Sequence, residues 1–221
     1  METTARIIAV NQVTHDVKQF RVEKPDGYHF EPGQATEVSI NKPQWKEEKR
    51  PFTFTSLATD PYLEFVIKLY EDHNGVTNAL NELQPGDELI LRDVWGAISY
   101  QGTGYFIAGG AGITPFIAVL RQLKKENALD GNTLFFSNKT AADIILKNEL
   151  ESMPGLQVVF ITTQEEGSTY EHHYIDKEFL TNRITDFKKH FYICGPDKMV
   201  SDLNQSLLEL GAKPDAVVFE K

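Results

Sequence analysis

The chain has a single cysteine, Cys194, in 221 residues. One thiol excludes an internal disulfide, and it excludes an iron–sulfur cluster ligated by cysteines of this chain alone. Long apolar runs are also missing: no stretch approaches the ~20 residues that span a bilayer. The start, Met1-Glu-Thr-Thr-Ala-Arg6, lacks a basic segment followed by an apolar core, so no secretory leader is expected. Basic excess is absent too, with 22 Lys+Arg against 32 Asp+Glu and a net charge of −10. Split at residue 100, the first part carries 10 Lys+Arg against 16 Asp+Glu and the second 12 against 16. Neither half is basic, so nucleic acid is not an expected partner. Acidic ligands must be held by local groups such as Arg50 or glycine amides, because no global field attracts them. Metal-ligand spacing is lacking as well: His172 and His173 are adjacent and cannot both point one way in an extended chain. Together these absences lead to the expectation of a cytoplasmic monomer with no metal and no membrane contact.

What is present is ordinary core-forming material, 41% hydrophobic and 24% charged. Its patterning changes part-way. From about Ala5 to Leu91 the chain reads as short β-branched or aromatic strands, among them Arg6–Asn11, Val17–Val22, Ala35–Ile40, Phe52–Thr55 and Leu63–Leu69. Turn signals such as Pro25-Asp-Gly27, Glu31-Pro-Gly33 and Pro85-Gly-Asp87 separate them. Many short strands with regular turns predict an antiparallel barrel or sandwich. One short helix is expected from Thr77 to Leu83, with Thr77 as its N-cap.

From about Gly104 strands alternate with helices. Strands are expected at Tyr105–Gly109, Thr133–Ser137, Gln157–Thr162, His190–Cys194 and Ala216–Phe219. Helices are expected at Pro115–Asn127, Ile144–Met153 and Asp197–Leu210. That rhythm predicts a parallel sheet covered on both faces. The expected domains are residues 1–100 and 104–221, with the boundary near Tyr100-Gln-Gly-Thr-Gly104.

Three motifs carry chemistry. Phe106-Ile-Ala-Gly-Gly-Ala-Gly-Ile-Thr-Pro115 is an apolar strand that breaks into glycines and restarts as a helix. That arrangement presents backbone N–H groups to a phosphate. Gly110 and Gly112 permit the turn and the close approach, and Pro115 pre-sets the first helical turn. A Rossmann fingerprint has a small residue where Pro115 stands, so a different nucleotide-binding sheet is expected. Arg50-Pro51-Phe52-Thr53-Phe54-Thr55-Ser56 alternates aromatic and hydroxyl side chains after an arginine. It suits a flat aromatic ligand with a polar edge and a phosphate tail. The plain alternative is a barrel strand with a buried aromatic face and a wet threonine face. Gly75-Val76-Thr77 again places glycine at a helix start and offers a second anion site, or simply a capped helix.

RPFTFTS, GVTNAL, GGAGITP, Tyr192-Ile-Cys194-Gly195-Pro196 and a C-terminal glutamate, in this order, resemble the ferredoxin–NADP reductase family of flavoproteins. They also resemble the reductase modules of flavohaemoglobins and oxygenase electron-transfer proteins. The resemblance spans nearly the whole chain. It implies a six-stranded antiparallel FAD-binding barrel followed by a parallel-sheet α/β domain that binds NADPH or NADH.

It further implies that Arg50 contacts the flavin phosphate, with Pro51 and Phe52 beside the ring or ribityl chain; Phe52 stands where the family usually has tyrosine. Thr53 is implied at flavin N5, and Gly75, Val76 and Thr77 at the pyrophosphate. Gly110, Gly112, Thr114, Cys194, Gly195 and Pro196 are implied at the nicotinamide dinucleotide, with Cys194 near nicotinamide C4. Glu220 matches the family's glutamate near the active site, although the aromatic residue that often follows it is missing, because the chain ends at Lys221. The catalytic set so implied is Thr53, Cys194 and Glu220, with hydride crossing a cleft between Thr53 and Cys194. A ferredoxin- or flavodoxin-type protein is the implied electron acceptor.

Two alternatives stay open: a free-flavin or dye reductase, and a non-catalytic regulatory subunit with a degenerate reductase fold. A 2′-phosphate is normally clamped by arginine or lysine. The strand ends Ser137-Asn138-Lys139 and Thr162-Thr163-Gln164 hold one lysine and no arginine, so both NADH and NADPH remain compatible.

Overall fold

The computed structural model describes residues 2–70, 75–96, 98–213 and, as backbone, 217–219. The chain divides into two compact units: Met1–Gly96 with Thr114–Val119, and Ala97–Ile113 with Leu120–Lys221.

The first unit is built on six strands: β1 (Thr3–Thr14), β2 (Val17–Glu23), β3 (Ala35–Ile40), β4 (Arg50–Thr53), β5 (Tyr62–Lys68) and β6 (Glu88–Trp95). They pair antiparallel in the order β4-β3-β6-β1-β2-β5. A bridge from Phe54, just past β4, to Phe65 on β5 joins the two edges and closes the expected barrel. Phe54 is fully buried and stacks on Phe30 at 4.2 Å between ring centroids, with Phe65 at 5.1 Å. Strand β6 continues past the Leu91 at which the alternating pattern fades, as far as Trp95, which pairs with Ala35.

The threonine face of the 50–56 segment is not wet. Thr53, Thr55 and Ser56 are all buried. For Thr55 and Ser56 the reason is Glu64, a buried carboxylate directly across the seam. Its Oε1 accepts from the Thr55 hydroxyl at 3.0 Å, and its own N–H donates to Ser56 Oγ at 3.0 Å. Arg21, its register partner on β2, donates from Nε to Oε2 at 2.9 Å. A charge taken out of water survives only when paired and hydrogen-bonded, so these hydroxyls must face inward.

The barrel also carries α1 (Val76–Ala79), followed by a 3-10 turn over Leu80–Glu82. The expected Thr77–Leu83 helix is therefore shorter, and Thr77 is not its cap. Gly75 caps the helix through its backbone alone: its carbonyl accepts from the N–H groups of Asn78 and Ala79. Val76 and Leu80 turn into the barrel core and set the cap two residues early, at Gly75.

The second unit holds β7 (Gly104–Gly109), β8 (Thr133–Asn138), β9 (Gln157–Thr162), β10 (Glu171–His172), β11 (His190–Cys194) and β12 (Val217–Phe219). All pair parallel in the order β10-β9-β8-β7-β11-β12. Helix α2 (Thr114–Lys125) follows β7, and its residues are shared between the two units. Helices α3 (Lys147–Glu151), α4 (Lys177–Arg183) and α5 (Asp197–Glu209) complete the α/β layer.

One core cluster joins Tyr105, Phe135 and Phe191 of the sheet to Phe179 and Leu180 of α4 and to Leu203 and Leu207 of α5. Helix α4 has no counterpart among the expected elements. It is capped by Asp176, whose carboxylate accepts from the Phe179 N–H at 2.9 Å. The expected helix Ile144–Met153 is broken. The Asp143 carboxylate accepts from the N–H and hydroxyl of Thr140, Ile144 is extended, and Leu146 is left-handed at φ 51°. Burial of Ile144 and Ile145 draws the chain inward before α3 begins.

Phe54→Ala removes the ring on which the barrel seam packs. It is expected to cost about 3–5 kcal/mol, read as a lower denaturation midpoint with an unchanged slope.

Candidate functional site

The second unit contributes a backbone cradle. At the end of β7 the chain makes a 3-10 turn over Gly110–Ile113 and runs directly into α2, with Pro115 in the first turn. Beside β7 lies β11, in register with Ala108 opposite Cys194. From β7 the chain steps to β8 on one side, and β11 returns on the other. The β7/β11 pair is therefore the point where strand order reverses, the crevice in which open parallel sheets bind ligands.

The glycines here serve different needs. Gly110 has φ +53°, and a side chain there would meet nothing within 4 Å; it supplies a left-handed turn. Gly112 supplies proximity, because a Cβ would lie 2.6 Å from the Gly195 amide nitrogen and closer still to the Cys194 carbonyl. Gly109 is pressed against α5, where a Cβ would lie 2.6 Å from Met199 Sδ and 2.9 Å from Pro196 Cδ. The structure thus brings Gly110, Gly112, Cys194, Gly195 and Pro196 to one edge, with Thr114 opening α2. Cys194 is buried, with 8% of its surface exposed, and Pro196 caps α5.

On the other side of the same edge, Asn138 and Thr162 end β8 and β9 as register partners. Both are buried, and both side-chain atoms of the Asn138 amide and the Thr162 hydroxyl lack a hydrogen-bond partner. Beyond them, Glu165 Oε2 accepts from the Ala141 N–H at 2.6 Å. Met199 and Glu165 were not signalled by the motifs. A thioether inside a helix reads as core, and a carboxylate in a polar loop reads as surface.

The first unit contributes a second set. Arg50 opens β4 with its side chain exposed; its Nη1 donates to the Lys49 carbonyl at 2.6 Å, and Nη2 lies 3.8 Å from Glu48 Oε2. Pro51 is exposed, Phe52 is half-buried on the barrel core, and Thr53 is 8% exposed opposite Ala35. Gly75 is extended at φ −113°, with open space where a Cβ would sit. Val76 is buried and Thr77 half-buried. Glu220 lies outside the described residues. His172 and His173 are exposed, and His173 Nε2 lies 2.8 Å from Glu171 Oε2.

Residues 4–100 match the oxidoreductase FAD-binding domain family, and residues 106–205 match the oxidoreductase NAD-binding domain family. The chain belongs to the oxidoreductases that join an FAD-binding domain to an NAD-binding domain. It is similar to NADH-cytochrome b5 reductase 2-A of Vanderwaltozyma polyspora, at 29% identity over 86% of this chain and 70% of that protein. It is also similar to the reductase component of propane 2-monooxygenase from Rhodococcus jostii, at 26% identity over 100% of this chain and 63% of that one. The chain thus spans about two thirds of the length of these curated relatives. Its fold superposes on a ferredoxin NADP+ reductase from Neisseria gonorrhoeae with bound FAD and NADP, with a TM-score of 0.86, 23% identity, and coverage of 99% of this chain and 98% of that one.

This is an NAD(P)H-dependent FAD oxidoreductase, and both cofactors fit the residues present. A crevice edge where Gly112 leaves no room for a Cβ, beside buried polar groups lacking partners, is what a dinucleotide requires. Among the described residues of this reductase, no helix is long and apolar enough to cross a membrane.

The two turn glycines separate by experiment. Gly110→Ala is expected to fold at a cost of about 1–2 kcal/mol, the left-handed penalty alone. Gly112→Ala must push apart two backbones and is expected to weaken NAD(P)H binding at least tenfold. Thermal melts and nucleotide titrations of both variants check this ordering.

Proposed function

We propose that this reductase takes a hydride from NADH onto FAD and passes the electrons to a separate acceptor protein. The observation that carries the reading is the backbone contact of Gly112 with Cys194-Gly195 at the strand-order reversal. It juxtaposes the two motifs that a nicotinamide dinucleotide must touch at once.

Bound FAD and NAD(P)H supply the hydride transfer itself. The protein's part is to bind, align and shield. Arg50 offers an exposed guanidinium to the flavin phosphate, with Pro51 and Phe52 beside it. Gly75, Val76 and Thr77, at the start of α1, are assigned to the pyrophosphate through their backbone N–H groups. Thr53 places a hydroxyl at the reacting edge of the flavin. Gly110, Gly112 and Thr114 border the dinucleotide. Cys194, with Gly195 and Pro196, forms a wall at the nicotinamide; its burial suits packing more than nucleophilic attack. Glu220 is assigned near the site by resemblance alone.

NADH is favoured over NADPH by charge. The loops after β8 and β9 offer one lysine, Lys139, and no arginine, while Asp143, Glu165 and Glu166 are carboxylates. Acidic groups repel a 2′-phosphate. For the acceptor, a ferredoxin- or flavodoxin-type carrier follows from the family resemblance. The names of the similar proteins support a second reading, a cytochrome b5 or an oxygenase component.

The purified chain is expected to carry a flavin spectrum that NADH bleaches under anaerobic conditions. A colourless protein that takes up no flavin sinks the proposal, and flavin that washes out freely favours a free-flavin reductase. Arg50→Ala is expected to weaken FAD binding about 10- to 100-fold, the loss of one charge-assisted contact. Thr53→Val is expected to slow flavin reduction on the order of tenfold with FAD still bound. Glu165→Gln is expected to narrow the preference for NADH over NADPH in paired titrations.

A further inference from the structure

Tyr192 stands two residues before Cys194, in the middle of β11, and is fully buried. Its ring stacks on Phe106 at 4.6 Å and on Tyr100 at 5.8 Å. Its hydroxyl does something the hydride chemistry does not call for. It accepts from the N–H of Gln101 at 2.8 Å and from the N–H of Gly102 at 3.1 Å, and it donates to the Gly102 carbonyl at 2.8 Å. A phenol has one donor and two acceptor sites, so its whole capacity is spent on two consecutive residues of the segment entering the second unit.

The segment is held on both sides of that point. Asn132 Oδ1 accepts from the Gly104 N–H at 3.0 Å and lies 3.5 Å from the Tyr100 hydroxyl. A Cβ on Gly102 would lie 3.1 Å from the His190 ring, so the chain runs against that imidazole with no slack. In the first unit, Gly96 packs on the Gly33-Gln34 backbone, where a Cβ would meet Gln34 Cα at 3.0 Å.

We propose that Tyr192 is a positioning residue: its hydroxyl pegs Gln101-Gly102, near the start of the second unit, to the strand that carries Cys194. The functional part rests on the hydride-transfer reading above. Reacting atoms must approach within about 3–3.5 Å, and a misplacement near 1 Å costs on the order of 100-fold in rate. A peg that fixes where the chain enters the nucleotide-binding unit limits the search for that geometry without touching either cofactor. Binding of NADH should be indifferent to the peg, and the transfer step should depend on it.

The first test needs no cofactor and no variant. In native-state hydrogen exchange the Gln101 and Gly102 amides should be protected like those of β11; exchange at the rate of an open linker overturns the peg. In Tyr192→Phe, which keeps the ring and its stacking, these two amides should exchange about 10- to 100-fold faster while the interior of β7 and β11 is unchanged. Gln101→Ala, which leaves the backbone donors in place, should match the wild type. In stopped-flow reduction at saturating NADH, Tyr192→Phe should slow the transfer step about tenfold with the NADH dissociation constant unchanged. Faster exchange combined with a wild-type transfer rate overturns the positioning role and leaves only a structural one. A wild-type protein that NADH does not reduce counts instead against the hydride-transfer reading, and the exchange result stands apart from it.

Discussion

The second unit depends on two turns touching without side chains between them. Gly112 lies against the Cys194-Gly195 peptide so closely that one added carbon would overlap it. Gly109 lies as tightly against the Met199 and Pro196 side chains, and a Cβ on Gly195 would lie 3.2 Å from Gly109 Cα. This closeness lets β7 and β11 end level, with Ala108 opposite Cys194. It brings α2 and α5 to start from one edge of the sheet. The edge so formed presents backbone rather than side chains, so the glycines give access as well as packing.

The barrel is held by a different principle. A buried carboxylate, Glu64, organises the seam opposite the Arg50–Ser56 segment through Arg21, Thr55 and Ser56. Removing one partner from such a group leaves an uncompensated charge, whereas the complete set fixes where each hydroxyl points. Thr53 is held in β4 opposite Ala35, and Thr55, two residues on, is tied to β5. Tyr192 has the same logic in the second unit: a polar atom in an apolar setting with every hydrogen-bonding position used. Each unit thus ties separate strands and turns together through one buried polar group with several hydrogen-bond partners. Burial pushes the Tyr192 phenol above the usual tyrosine range, and the Gln101 and Gly102 amides pull the other way.

Much of the architecture was legible. Alternation between Ala35 and Ile40 and between Leu63 and Leu69, with the turn signals, led to the antiparallel barrel. The apolar runs at Tyr105, Thr133 and His190 led to the parallel sheet. Local helix detail was less legible. Thr77 has the chemistry of a cap, but Val76 and Leu80 have the stronger demand for burial and move the start to Gly75. Ile144 to Met153 has helical propensity, yet the Thr140–Asp143 box and the burial of Ile144 and Ile145 break it. Helix α4 was unsignalled because its apolar face, Phe179 and Leu180, is only two residues wide.

By itself the sequence determined the class of chemistry. One cysteine excluded an in-chain cluster, and glycines at strand ends marked where the backbone turns and approaches a neighbour closely. The order of RPFTFTS, GVTNAL, GGAGITP and ICGP marked the family. Tertiary structure decided which backbone groups touch and which polar atoms are spent. The need for glycine at 112 arises from Cys194, and the role of Tyr192 from Gln101, each pair some 80 to 90 residues apart in sequence. Such requirements arise from close approach in space, and only the closed sheet brings those residues together.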